Sequence, residues 1–442
     1  MKKKTTLLFI PVLLFSWLLS AQETVSISKR EVKQRVQENN SSLQISQQEF
    51  LAARAQYRQT NAVFLPNISV SHTGMTTNNP LMAFGSKLNQ EVISQSDFDP
   101  ARLNDPDRTD NFATKIEVQQ PLINLDGFYQ RSAAKNKMEA TQLKRERTGD
   151  HMQLETEKAY MQLQLAHKAV EVLEQALETA QANLKLANDN FKQGYLQRSD
   201  LLAVEVRVTE VNNQLQYAKS NVKNASDYLM FLMGDSIDVV LIPKDSLQVQ
   251  VAAVNKGQLP MERADIQAMQ LASQARKQMY KADKMSFLPR LNAFGSYELY
   301  DDELFQGDAT GYMAGVALTW DIFDGSKRIG KTQQSKAEFK QAQLQYEQHV
   351  HKSQLELNQA KRALQDAENK LKLTRLAMEQ SEEALRIRNN RYEQGLEKTT
   401  DLLMAETQFS EKRLEYYQTV YEYNYALEYL KFLTQNQSTT EQ

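Results

Sequence analysis

Cysteine is absent from the 442-residue chain, so an exported protein of this sequence gains nothing from disulfides, and neither a cysteine nucleophile nor a cysteine-linked lipid is possible. Proline is scarce where it matters: none of the nine lies between Leu122 and Ile242 or after Pro289. An interior proline costs a helix ~3 kcal/mol, so two long blocks are free to form unbroken helices. Neither sign of charge dominates, with 53 Lys and Arg against 55 Asp and Glu. No basic stripe with interleaved aromatics occurs, which argues against a nucleic-acid partner. The five histidines are scattered, and the one close pair, His349 and His351, points to different faces of a helix. No GxSxG, Walker or HExxH pattern is present. The expectation is no catalytic residue, no metal, no cofactor and no enzyme. Met230 and Met233 fit core packing better than a metal path.

Long apolar runs are missing too, except at the N-terminus. Lys2, Lys3 and Lys4 precede the run Leu7 to Leu19, which closes in LLSAQET. Residues 1–21 read as a secretory signal peptide cut near Ala21, with a short anchor helix as the alternative. Beyond it no stretch of ~20 apolar residues remains, so no transmembrane helix is expected.

What is present is a repeat. Residues 189–202 read DNFKQGYLQRSDLL and residues 390–403 read NRYEQGLEKTTDLL, a constant offset of 201. Gly194 matches Gly395, Asp200 matches Asp401, and Tyr228, Leu229, Phe231 and Leu232 match Tyr429, Leu430, Phe432 and Leu433 without a gap. Upstream, Leu163, Ala166, Val170, Leu173, Leu177 and Ala180 advance by three and four, which is coiled-coil spacing. A second seam beside it, rich in alanine, gives each helix two close neighbours. That suits a ring of helices better than an ordinary bundle stripe. The pattern from Gly127 to Gln193 spans ~100 Å at ~1.5 Å per residue.

Before each long helix the period changes to two. Phe112, Ile116 and Val118 alternate with Lys115, Glu117 and Gln119, and Tyr312, Ala314, Val316, Leu318, Trp320 and Ile322 lie opposite Gly315, Thr319 and Asp321. With the segments around Asn67 to Gly74 and Leu291 to Leu299, four strands are expected per chain. Tyr312 and Trp320, eight residues apart on one face, are ~26 Å apart along a strand. They would flank an apolar band as interface aromatics do in membrane barrels, with a soluble sandwich as the alternative. Four strands cannot close a membrane barrel alone, so several chains must share one.

The expected organisation is a first repeat over 22–234 (helix from Lys29 to Val63, hairpin 66–121, long helix, turn 194–199, shorter helix from Asp200). A link follows over 235–259, then a second repeat over 260–434 (helix from Met261, hairpin 289–322, long helix, turn 395–400, shorter helix from Asp401) and a tail over 435–442. The words FLP at 64–66 and 287–289 mark each change from helix to strand, since the residue before proline is pushed extended. Asp126 and Asp324 are read as caps at the return to helix, and Asp200 and Asp401 as caps of the returning helices.

The doubled Gly-x5-Asp turn, the paired FLP words, the four strands and the leader, in this order over nearly the whole chain, resemble the TolC-type outer-membrane factors, or outer membrane efflux proteins. The resemblance implies a mainly α fold with a membrane β part, a homotrimer forming an α-barrel/β-barrel duct in the outer membrane with its helical part in the periplasm. It implies a passive exit duct for a tripartite efflux pump or type I secretion system, with a periplasmic adaptor, an inner-membrane pump and outer-membrane lipid as partners. Gly194, Tyr195, Leu196, Gln197 and Arg198, with Gly395, Leu396, Glu397 and Lys398, would form tip turns that meet the adaptor. Tyr392 would latch to Asp200, and Asp401 would form an acidic ring. The pattern departs from the family at Met404, the second ring position, and at Glu397, where an arginine is usual. A non-transporting coiled-coil protein of the periplasm or cell surface is the other class the pattern allows.

Overall fold

The computed structural model describes residues 24–236, 239–251 and 257–434. The expected leader and tail lie outside these residues, as does part of the link. The described residues divide into two compact units, each drawing on both repeats: 24–41, 150–236, 239–251, 257 and 358–434 form one, and 42–149 and 258–357 the other.

The first unit is helical. It contains strand β1 (Thr24–Ile27), helix α1 (Lys29–Asn39) and the C-terminal part of α5 (Leu125–Lys192). It also holds α6 (Arg198–Met233), strand β4 (Val240–Pro243), the later part of α8 (Lys327–Glu393), and α9 (Thr399–Thr434). A capping box starts α1: Glu31 N donates to Ser28 Oγ at 3.3 Å, and Ser28 N donates to the Glu31 carboxylate at 2.7 Å. The expected single helix from Lys29 to Val63 is broken at Asn40, whose backbone is extended. Its buried amide donates to Leu232 O at 2.8 Å, so the break is stabilised by a partner on α6. β1 and β4 pair in parallel, Val25 opposite Leu241. The core between them holds Ile27, Val32, Val36, Leu163, Leu229, Met230 and Met233, which gives the two methionines the packing role expected of them. Burial pushes the Tyr160 phenol up to about 12, and the Asp245 carboxylate adds to the rise. Tyr160 Oη donates to Ile27 O at 3.3 Å.

The second unit carries a four-stranded antiparallel sheet in the order β2-β3-β5-β6: β2 (Asn67–Thr77), β3 (Thr109–Ile123), β5 (Arg290–Asp301) and β6 (Ala309–Thr319). Around it lie α2 (Ser41–Gln59), α3 (Pro80–Asn89), α4 (Pro100–Asn104), the start of α5, α7 (Ala264–Met285) and the start of α8. A short 3-10 turn, Thr60–Val63, precedes the first FLP, and Pro289 immediately precedes β5, so both FLP words sit at the expected transition.

Register aligns the sheet faces. Ile68 pairs with Val118 and Val70 with Ile116; Ile116 meets Tyr297, which meets Tyr312. These side chains form one apolar face, largely exposed, with Tyr312 85% accessible. The opposite face aligns Ser71, Lys115, Glu298 and Gly311. Lys115 pairs there with Glu117 at 3.1 Å and Glu298 at 3.5 Å.

Several boundaries differ from expectation. β3 runs past Pro121 to Ile123 through a register shift. β6 ends at Thr319, so Trp320 lies just outside it, its indole donating to Phe287 O at 3.0 Å. The cap at the start of α5 is Asn124, whose side chain accepts from Gly127 N at 3.3 Å; Asp126 instead pairs with Arg290 at 2.5 Å. Asp324 does cap, accepting from Arg328 N at 3.2 Å. α7 begins at Ala264 because Arg263 is its N-terminal flank: buried, it bonds Asp265 at 2.6 and 2.8 Å. Burial raises the Asp265 pKa, but hydrogen bonds from His349 and Arg263 outweigh it and hold the carboxyl far below its ordinary range. The link between β2 and β3 is not bare loop, since α3 and α4 fold within it. Gln90 closes α3 by donating to Asp110 O, Asn111 Oδ1 and Asp301 O at 2.9–3.0 Å.

Candidate functional site

Both expected turns lie in the helical unit and have the same backbone. At the first, Gly194 has φ +82°, Gly194 N donates to Phe191 O at 3.0 Å, and Tyr195 N to Asn190 O at 2.9 Å. At the second, Gly395 has φ +72°, Gly395 N donates to Tyr392 O at 3.0 Å, and Leu396 N to Arg391 O at 2.9 Å. Each is a Schellman ending, which satisfies the last carbonyls of a helix and needs a left-handed residue. Glycine there avoids the ~1–2 kcal/mol cost that a Cβ brings to this conformation.

The returning helices begin sooner than expected, at Arg198 and Thr399, so the turns are shorter than 194–199 and 395–400. The Gln197 carbonyl accepts from Asp200 N and Leu201 N, and the Lys398 carbonyl from Asp401 N and Leu402 N, at 3.1–3.2 Å. Asp200 and Asp401 are therefore third residues of their helices, not caps. Their charge favours the helix start through the dipole, by ~0.3–1 kcal/mol.

Side chains separate the two turns. At the second, Glu397 is mostly shielded and accepts from Arg388 at 3.0 Å and Arg391 at 2.9 Å, while Arg391 also donates to Leu396 O at 3.2 Å. Arg388 lies 3.9 Å from Asp401. Tyr392 is buried, and its hydroxyl lies 3.4 Å from Thr399 Oγ1 within the same turn. The expected bond from Tyr392 to Asp200 is not formed among the described residues. At the first turn, Arg198 pairs with Glu205 at 3.8 Å, both side chains exposed, and lies over the Phe191 ring. Tyr195 and Leu396 are open to solvent, as is Met404.

Behind the turns, a buried polar group escaped sequence reading. Asn183 of α5 donates to Glu406 of α9, and Arg207 of α6 is buried alongside with its Nε unpaired. Burial raises the Glu406 pKa, opposed by the Asn183 bond and the Arg207 charge. The clamp around Glu397 had a visible signal: Arg388 and Arg391 stand three apart on one helical face, nine and six residues before Glu397. Glu406 had none, because its repeat partner Glu205 faces solvent and only the fold tells them apart.

The outer membrane efflux protein family model matches residues 32–235 and 257–435. The chain belongs to that family. Its fold is that of solved outer-membrane proteins at low identity. A membrane protein from Pseudomonas aeruginosa is 20% identical with a TM-score of 0.80, over 92% of this chain and 93% of that one. The outer membrane protein VceC of Vibrio cholerae is 17% identical at 0.78, over 92% and 96%. The open-state MtrE outer membrane channel of Neisseria gonorrhoeae is 18% identical at 0.70, over 92% and 91%. No curated protein matches. The efflux-family chain is thus an outer-membrane exit duct with a helical part in the periplasm, and its family consists of channels rather than enzymes. The alternative of a non-transporting coiled-coil protein falls with this assignment.

Proposed function

We propose that three copies of this chain form one duct that serves as the passive outer-membrane exit of a tripartite efflux pump or secretion system. The observation that carries the stoichiometry is the open sheet. β2 and β6 are edge strands beside an exposed apolar face. Unpaired backbone groups in hydrocarbon cost several kcal/mol each, so the edges need strands from other copies. Three copies bring about twelve strands, within the range of closed membrane barrels.

In this reading the two turns of each copy alternate around a sixfold periplasmic tip, where Tyr195, Leu396 and their neighbours meet an adaptor. The chain holds no nucleotide motif, so energy comes from an inner-membrane pump. The resting tip is closed, and the ion pairs of Glu397 with Arg388 and Arg391 hold the second turn inward, with Tyr392 and Thr399 as a neutral catch beside them. Asp200 and Asp401 line the tip as acidic positions. Mass measurement of the detergent-solubilised protein tests the assembly. A stable trimer with folded strands is expected, and a folded monomer would overturn the proposal.

A further inference from the structure

The β-bearing unit is electrically polar in a way that the duct reading does not use. Where the helices meet the strands, residues 54–66, 125–138, 276–290 and 321–337 contain fourteen Lys and Arg against four Asp and no Glu. At the opposite end of the strands, residues 78–110 and 301–309 contain three Lys and Arg against ten Asp and Glu. The whole chain, by contrast, has a net charge of only −2.

The basic end is also apolar. Ile322 and Phe323 are 81% and 80% accessible, and Phe64, Leu65, Leu288 and Trp320 are exposed in the same zone. Some of the cations there are paired: Arg290, Lys331 and Arg328 with Asp126, Asp283 and Asp324, and Arg276 and Lys135 with Glu338 and Glu139 just beyond these segments. Lys281, Lys284 and Lys327 have no carboxylate partner among the described residues. The Lys281 and Lys284 ammonium groups lie 5.7 and 5.6 Å from the ring centroids of Tyr129 and Tyr280, aromatic contacts that leave their charge without a counter-ion among the described residues.

An exposed aromatic and aliphatic band directly beside unpaired lysines is the arrangement that sits at a headgroup boundary. We infer that the helix–strand junction is a binding surface for anionic phospholipid headgroups of the periplasmic leaflet. Phe64, Trp320, Ile322 and Phe323 enter the acyl boundary, and Lys281, Lys284 and Lys327 meet the phosphates. Charge complementarity narrows the occupant, since a basic protein face or a divalent cation would find the wrong sign, and the exposed Trp320, Ile322 and Phe323 beside the lysines favour lipid over an acidic protein face. The acidic far end turns the same preference away, so the surface also fixes which end of the strands faces the periplasm. The inference rests on the duct reading proposed above.

The test uses the purified full chain in nanodiscs of phosphatidylethanolamine with a minority of phosphatidylglycerol, followed by mild detergent extraction and mass spectrometry of the retained lipids. The parent is expected to retain phosphatidylglycerol above its bulk fraction. A surface lysine near an anionic leaflet corresponds to roughly fivefold in lipid partitioning. The triple variant Lys281→Gln, Lys284→Gln, Lys327→Gln should lose this enrichment while remaining an assembled, inserted protein, and the far-end control Arg102→Gln should keep it. Insertion of the parent without enrichment, or a triple variant as enriched as the parent, would overturn the lipid surface and leave the duct intact. Displacement of phosphatidylglycerol by inorganic phosphate alone would reduce it to a generic anion site and also overturn it. A chain that never enters the nanodisc would defeat the duct reading first.

Discussion

The turns at Gly194 and Gly395 use the same hydrogen bonds between matching residues, yet the close, shielded ion pairs are at the second, from Glu397 to Arg388 and Arg391. The first offers an exposed Tyr195 and a long, exposed Arg198 to Glu205 contact. A duplicated sequence has thus kept its backbone where geometry demands it and diverged where side chains set the strength of the turn. Two equivalent turns would open together. These two differ in how firmly they are tied, so in the proposed duct the second would be the holding point within one copy and the first the freer surface.

The largest expected difference comes from removing the clamp. Glu397→Ala should lower the local opening free energy of the second turn by about 1–3 kcal/mol, the range for hydrogen bonds to charged groups when the arginines are half exposed. Arg198→Ala at the first turn should cost under ~1 kcal/mol, as exposed pairs do. Hydrogen exchange at the turn amides reads both, and equal effects would erase the distinction.

Glycine substitution should do the opposite and make the turns alike. Gly194→Ala and Gly395→Ala each put a Cβ on a left-handed residue with open space around it, so only the backbone term of ~1–2 kcal/mol remains. Thermal unfolding of the two variants should agree closely. A much larger loss at Gly395 would mean that the clamp and the turn fold as one unit.

A smaller effect concerns Glu406, present as a buried group in one repeat only. Its raised pKa means that the folded protein binds this proton more tightly than the unfolded chain. The associated stability is fully present below the ordinary glutamate pKa and is lost as pH rises through the raised value. Glu406→Gln keeps an acceptor for Asn183 and removes the titration. Its thermal midpoint should vary less than the parent's between mildly acidic and neutral pH, and identical profiles would show that Glu406 titrates as an exposed carboxylate.

These contrasts also mark what can be read from residues in order. The turns were legible because a left-handed position selects glycine, and the strands because Ile116, Val118, Val316 and Leu318 alternate with polar residues. β1 and β4 were not: four residues each, paired across more than two hundred positions, they have no period to detect. Asn40 looks like any polar helix residue until Leu232 supplies its acceptor. Asp126 looks like a cap, but Asn124 is placed to accept from Gly127, which frees Asp126 for Arg290. At the candidate site, the expected Tyr392 to Asp200 bond crosses between turns, whereas the buried hydroxyl finds Thr399 within its own turn at no cost in long-range placement.

Whether the second turn holds the duct shut is read by single-channel conductance in planar bilayers, with parent, Glu397→Gln and Arg198→Gln prepared as intact trimers. Three clamps released together can supply the ~5.5 kcal/mol that takes a two-state gate from almost shut to almost open. The parent should conduct little, Glu397→Gln clearly more, and Arg198→Gln no more than the parent. Equal conductance in all three, or an equal rise from the first-turn variant, would contradict a duct held shut at its second turn.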